Sequence, residues 1–194
     1  MTVTADDLDA AITRVMDTLR PATGEDWSAQ AGQVEWDCWH TAEHIGDCLL
    51  SYAAQLVAQP DGRYVRFLAT VDKDASAAEA LEFAETGGRI LASTVRTAAP
   101  GTRAYHPTGM ADPEGYAGMG CVEVLLHGQD IAEGLGVTFD PPRELCARLL
   151  TRMFPHHDRE NPGDPWDELL WSTGRTELPG RARLARWRWR AEPI

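Results

Sequence analysis

Apolar side chains recur every three or four residues along most of the chain, which is the spacing of helices that bury one face. The predicted helices cover residues 4–20, 37–59, 76–97, 113–135, 141–154 and 165–172. Stretches rich in proline, glycine and polar residues separate them, as expected for the turns between helices. The pattern therefore predicts an all-α fold.

Local signals support several of these boundaries and leave one segment open. Ser76 and Glu79 have the spacing of a capping box, and Pro113 suits the first turn of a helix. Residues 63–71 alternate loosely and are rich in β-forming side chains, so they are either a short strand or an extended crossing. Residues 100–113 are expected to form a loop.

The central helix is apolar around most of its circumference, which is typical of a helix buried on all sides. Glu123, His127 and Asp130 break this pattern, and their spacing of three or four residues puts them on one face. A buried carboxylate is costly unless it is paired, protonated or bound to a metal. An ordinary intrahelical contact is one interpretation of the Glu123–His127 pair, and joint binding of a divalent metal is the other.

A metal at this pair needs a third ligand from another part of the chain. The candidate histidines are His40, His44, His106, His156 and His157. His44 is preferred because it lies in the middle of a helix long enough to pack beside the central one. His40 precedes it by one turn and competes with it, whereas His156 and His157 are expected in a solvated loop.

Other polar residues are candidates for supporting roles. Asp47 and Asp130 could accept the second ring N–H of a metal-bound histidine, although Asp130 could equally form a salt bridge with an arginine. Arg89 could hold a substrate carboxylate, with a surface salt bridge as the default. Tyr105 and His106 could reach the mouth of a pocket, with a simple loop contact as the alternative.

Composition limits the kinds of partner. The formal net charge of −12 argues against nucleic-acid binding and against anionic membranes. Four dispersed cysteines without a CxxC pair argue against a disulfide framework and favour free thiols in a reducing compartment. Neither a signal peptide nor an apolar run of membrane-spanning length is indicated, so we expect a cytoplasmic protein. Residues 1–140 are expected to form a helical bundle, with 141–194 as a helical extension packed on it.

An ordered set of motifs adds a resemblance to this picture. Trp36 is followed eight residues later by His44, and Glu123-x3-His127 is followed three residues later by Asp130. This order resembles the DinB/YfiT-like superfamily and, within it, the N-terminal domain of mycothiol-dependent maleylpyruvate isomerase. The segments at 164–175 and 178–180 also look like those of short actinobacterial members of the group.

The resemblance implies a four-helix bundle that holds a divalent metal through His44, Glu123 and His127. Zinc is the expected metal, with nickel or iron as alternatives. The implied activity is a thiol-dependent S-transferase or isomerase-like reaction on a small molecule, with mycothiol as the co-substrate. The isomerase has a second domain where this chain has a short tail, so we expect the metal scaffold rather than that particular reaction. A metal-dependent hydrolase and a non-catalytic metal- or ligand-binding protein remain alternatives, as a monomer or a homodimer.

Overall fold

The structure is a computed structural model that describes residues 2–157 and 163–194, and it is predominantly helical. The helices are α1 (Ala5–Leu19), α2 (Cys38–Ala58), α3 (Ala77–Thr97), α4 (Pro113–Gly134), α5 (Arg143–Met153) and α6 (Pro165–Ser172). A short 3-10 turn, Arg20–Ala22, follows α1, and strands β1 (Ala104–His106) and β2 (Gly109–Ala111) form an antiparallel hairpin. The predicted all-α class is confirmed.

Side chains cap the starts of α2, α3 and α4. Ser76 and Glu79 form the predicted capping box at the start of α3, each side chain accepting a backbone N–H from the other residue. Asp37 caps α2 and Asp112 caps α4, where Pro113 occupies the first helical turn. These caps fix the starts of the two helices that carry the candidate metal ligands.

Helix α4 lies at the centre of the packing, as its apolar pattern predicts. α1 and α2 both pack against α4, and α3 packs against α1 and α2. α2 and α3 approach closely at Gly46 and Gly87, where a Cβ on Gly87 would lie 2.7 Å from the Gly46 carbonyl oxygen. Because a side chain cannot fit there, the two glycines allow α2 and α3 to cross closely, two residues after His44.

Residues 63–71, which the periodicity left open, form no strand, and the expected loop at 100–113 contains a short hairpin. Residues 63–71 pair with no strand of the described chain, and side chains of α2 hold them instead. The Gln55 side chain accepts the N–H of Val65, and Asp47 accepts the N–H of Ala69. The expected loop at 100–113 contains the β1–β2 hairpin, whose three-residue strands are too short to show a period in the sequence.

The C-terminal part packs back on the preceding helices. α5 contacts α4, and α6 contacts α5. Arg152 of α5 is buried and donates to the carbonyl oxygens of Arg190 and Ala191, which ties down the end of the tail. Of the polar segment predicted at 155–165, residues 158–162 lie outside the described residues. None of the helices in 2–157 and 163–194 combines the length and apolar character that a membrane crossing requires.

Candidate metal centre

Two imidazoles and one carboxylate converge between α2 and α4. Glu123 and His127 lie one turn apart on α4, and the Nε2 of His127 is 3.2 Å from the Oε2 of Glu123. The Nε2 of His44, from α2, is 3.9 Å from the same oxygen. Ligands at bond lengths of about 2 Å around a tetrahedral zinc ion are roughly 3.3 Å apart. His127 Nε2 lies at about that spacing from Glu123 and His44 Nε2 somewhat farther, whereas the described group whose ligand atoms all lie within 4.8 Å of one another is His44, Cys48 and Glu123.

Glu123 is ionised despite its low exposure. Burial disfavours the charged carboxylate, but the hydrogen bond and charge of His127, together with His44, lower its pKa below the ordinary value. The hydroxyl of Tyr52 donates to Glu123 Oε1 at 3.2 Å. This contact holds one carboxylate oxygen and leaves the other, Oε2, facing the two imidazoles.

A second carboxylate orients His127. The Nδ1 of His127 is 3.0 Å from Asp130 Oδ2, and both side chains are buried. Burial disfavours the imidazolium, but the hydrogen bonds with Asp130 and Glu123 raise the pKa of His127 to about 8. Because Nδ1 donates to Asp130, Nε2 is the atom left to bind a cation, in exchange for the proton that it donates to Glu123 in the metal-free protein.

His44 has a different environment. Burial and the neighbouring His127 lower its pKa, so the neutral ring with a free lone pair is favoured. The rings of Trp36 and His44 lie 4.5 Å apart, between centroids, and the rings of His44 and His127 lie 5.0 Å apart and nearly perpendicular. Trp36 thus limits the orientations that the His44 ring can adopt.

Cys48 is a fourth neighbour, which lies on the same stripe of α2 as His44 but was not among the predicted ligands. Ligand atoms of His44, Cys48 and Glu123 all lie within 4.8 Å of one another. Burial raises the pKa of the Cys48 thiol well above its usual range. Its position four residues after His44 on α2 was the available signal, because that spacing puts both side chains on one face of the helix.

An open cavity of about 430 Å³ adjoins the three converging groups. Tryptophan side chains form much of its wall: Trp36 precedes α2, and Trp187 and Trp189 come from the tail. The indole N–H of Trp189 is buried and has no acceptor in the described part of the chain. The full lining comprises Gln33, Val34, Glu35, Trp36, His44, Val122, Glu123, Leu126, His127, Arg175, Trp187 and Trp189.

Two predicted candidates on α2 face other partners. The Nδ1 of His40, the competitor of His44, is 2.8 Å from Asp37 Oδ1, and its side chain is more than half exposed. The Asp47 carboxylate accepts the backbone N–H of Ala69, so this hydrogen bond does not orient an imidazole. Asp130, in contrast, occupies the predicted position beside His127 and also binds an arginine, so both interpretations of this residue apply.

The predicted substrate-binding residues do not line the cavity. The Nη1 of Arg89 is 2.6 Å from Asp9 Oδ1, and Arg89 also contacts Thr13, which gives it the salt-bridge role between α3 and α1. The Tyr105 carbonyl accepts hydrogen bonds from Gln55 and Tyr116.

His106 is buried, and its ring lies 5.8 Å from that of Trp189. His106 thus does not line the cavity itself but contacts Trp189, which does. His157, one of the expected loop histidines, contacts Ser172 through its Nδ1 at 2.8 Å.

Comparisons with family models, with curated proteins and with solved structures found no match.

Proposed function

We propose that the chain is a metal-dependent enzyme in which His44, Glu123 and His127 hold a divalent cation. The observation that carries this proposal is the approach of two imidazole Nε2 atoms, at 3.2 and 3.9 Å, to one carboxylate oxygen. Nitrogen and carboxylate ligands of this kind suit zinc, with nickel and iron as the alternatives. The four long helices, α1 to α4, would then form the DinB-like four-helix bundle.

The cavity supports a role beyond structural metal binding. Catalytic zinc sites commonly have three protein ligands and one position left for water or substrate. A cavity of about 430 Å³ beside the ligands has the size of a small-molecule site. Its indole walls provide flat apolar surface for a ligand.

We further propose a low-molecular-weight thiol of the mycothiol type as the co-substrate. A free thiol with a pKa of about 8.5 is only a few per cent ionised at pH 7. When bound, the cation would supply the ionised form of that thiol. The protein's own contribution is to orient thiol and electrophile together, with Trp36 and Trp187 excluding water from one side of the cavity.

The test compares two histidines of one helix. Zinc-loaded protein is assayed with mycothiol and a chloronitrobenzene electrophile, and His44→Ala is expected to abolish turnover. His40→Ala is the matched control, since His40 lies one turn away on α2 and pairs with Asp37. A wild-type protein that retains zinc and shows no turnover above background contradicts the transferase. Turnover of an ester or amide without any thiol favours the hydrolase.

Cys48 supports the non-catalytic alternative. If its sulfur joined His44, Glu123 and His127, the cation would have four protein ligands and a closed, structural coordination shell. X-ray absorption of the zinc-loaded protein distinguishes the two cases, because a sulfur ligand lies at about 2.3 Å and nitrogen or oxygen ligands at about 2.0–2.2 Å. The catalytic proposal expects no protein sulfur ligand, and Cys48→Ser should leave the spectrum unchanged.

A further inference from the structure

The C-terminal end of α6 positions Arg175 beside the candidate metal centre. α6 ends at Ser172, and Gly174 has a φ of +68°, a left-handed conformation that favours glycine. The N–H of Gly174 donates to the Trp171 carbonyl and that of Arg175 to the Leu170 carbonyl, which is the hydrogen-bond pattern of a Schellman motif. The local sequence thus fixes the direction in which the chain leaves α6.

Arg175 binds Asp130 through two parallel contacts. Its Nε is 3.0 Å from Asp130 Oδ1, and its Nη2 is 2.7 Å from Asp130 Oδ2. The Asp130 side chain is 4% exposed and that of Arg175 is 16% exposed, so this is a largely buried, bidentate pair. A fork-to-fork contact of this kind fixes the plane of the carboxylate as well as its position.

The same carboxylate oxygen faces the candidate ligand. Asp130 Oδ2, which Arg175 holds through Nη2, is also the atom 3.0 Å from Nδ1 of His127. The contacts therefore run without a break from Arg175 through Asp130 to His127, whose Nε2 faces Glu123. Arg175 itself also lines the cavity.

We propose that Arg175 is a positioning residue of the metal centre, acting through Asp130 to hold His127 in the orientation that binds the cation. This inference rests on the proposed metal site. With this role for Arg175, the segment after α6 contributes to the metal centre. Residues that orient a metal-bound histidine typically change metal affinity by roughly 10- to 100-fold when they are replaced.

The test measures zinc affinity by competition with a chromophoric chelator. Arg175→Gln is expected to weaken zinc binding roughly 10- to 100-fold, and Arg175→Lys, which keeps the charge but not the fork, to recover part of the loss. Arg186→Gln is the matched control, because it removes the same charge from an exposed site in the tail. Equal affinities in wild type and in a folded Arg175→Gln protein would overturn the inference.

A second measurement needs no metal. The Nδ1–H of His127 is followed by NMR in the metal-free protein, where its hydrogen bond to Asp130 should protect it from solvent exchange. We expect faster exchange in Arg175→Gln and unchanged exchange in Arg186→Gln. If the wild type binds no zinc, the proposed metal site fails. If it binds zinc and neither affinity nor exchange responds to Arg175→Gln, only the positioning role fails.

Discussion

Two buried histidines of this protein have opposite acid–base behaviour. His106 is 7% exposed and His127 is 9% exposed, so burial alone does not separate them. Burial lowers the pKa of His106 to about 4, whereas the hydrogen bonds with Asp130 and Glu123 raise the pKa of His127 to about 8 despite burial. The hydrogen-bond partners therefore decide which of the two rings carries a charge.

The difference follows from what each Nδ1 contacts. At His106, the backbone N–H of Thr108 donates to Nδ1 at 3.1 Å, so this nitrogen must carry a lone pair and the ring is neutral. At His127, Nδ1 faces the carboxylate of Asp130 and must donate. His106 lies in the β1–β2 hairpin and is surrounded by aromatic rings, including those of Tyr52 and Trp189. His127 lies between two carboxylates that favour a cation.

The largest expected effect is that of His127→Leu in the metal-free protein. The change leaves the buried Glu123 carboxylate without its cationic partner and Asp130 with Arg175 alone, which should lower the free energy of unfolding by about 3–5 kcal/mol. Urea denaturation with chelator present measures it. His40→Leu, at an exposed pair with Asp37, should cost no more than about 1 kcal/mol. Equal costs for the two variants would contradict the comparison.

The pH dependence of the free energy of unfolding tests the lowered pKa of His106. Its pKa of about 4 in the folded protein lies below the ordinary 6.5, so between these values the unfolded chain binds a proton that the folded chain does not. Stability should therefore fall as the pH drops from 6.5 to 4, by roughly 2 kcal/mol more than in His106→Asn. Urea midpoints of both proteins across this range give the difference. Parallel curves would mean that His106 is not held neutral.

The sequence was sufficient for most helices and for part of the centre. Helical periodicity and the capping signal at Ser76 place α1 to α6 close to their observed ends, because those signals are local. His44, Glu123 and His127 were selected by helix spacing and by resemblance, and the packing of α2 on α4 brings their side chains together. Asp130 was selected in the same way, as the next polar residue on that face.

The remaining features depend on contacts between distant parts of the chain. Arg175 reaches Asp130 from 45 residues away, and no local pattern predicts that pair. The tail tryptophans Trp187 and Trp189 line the cavity through contacts of the same long-range kind. The neutral state of His106 depends on Thr108 and on the surrounding rings, which a sequence pattern does not specify.

The smallest expected effect is that of Thr108→Val. The hydroxyl of Thr108 lies 2.8 Å from Nδ1 of His106, and its loss should cost about 0.5–1 kcal/mol while the backbone N–H contact remains. Thr108→Ser, which keeps the hydroxyl, is the control and should be nearly as stable as wild type. If Thr108→Val lowered the free energy of unfolding more than His127→Leu does, the proposed difference between the His106 and His127 environments would be contradicted.

Metal content tests the central claim most directly. Protein purified without chelators after growth with added zinc is analysed by elemental mass spectrometry, alongside His44→Ala, His127→Ala and the His40→Ala control. The account predicts about one equivalent of a divalent metal in wild type and His40→Ala, and a small fraction of that in the other two variants. Wild-type protein without metal, or metal retained at full content in both His44→Ala and His127→Ala, would contradict it.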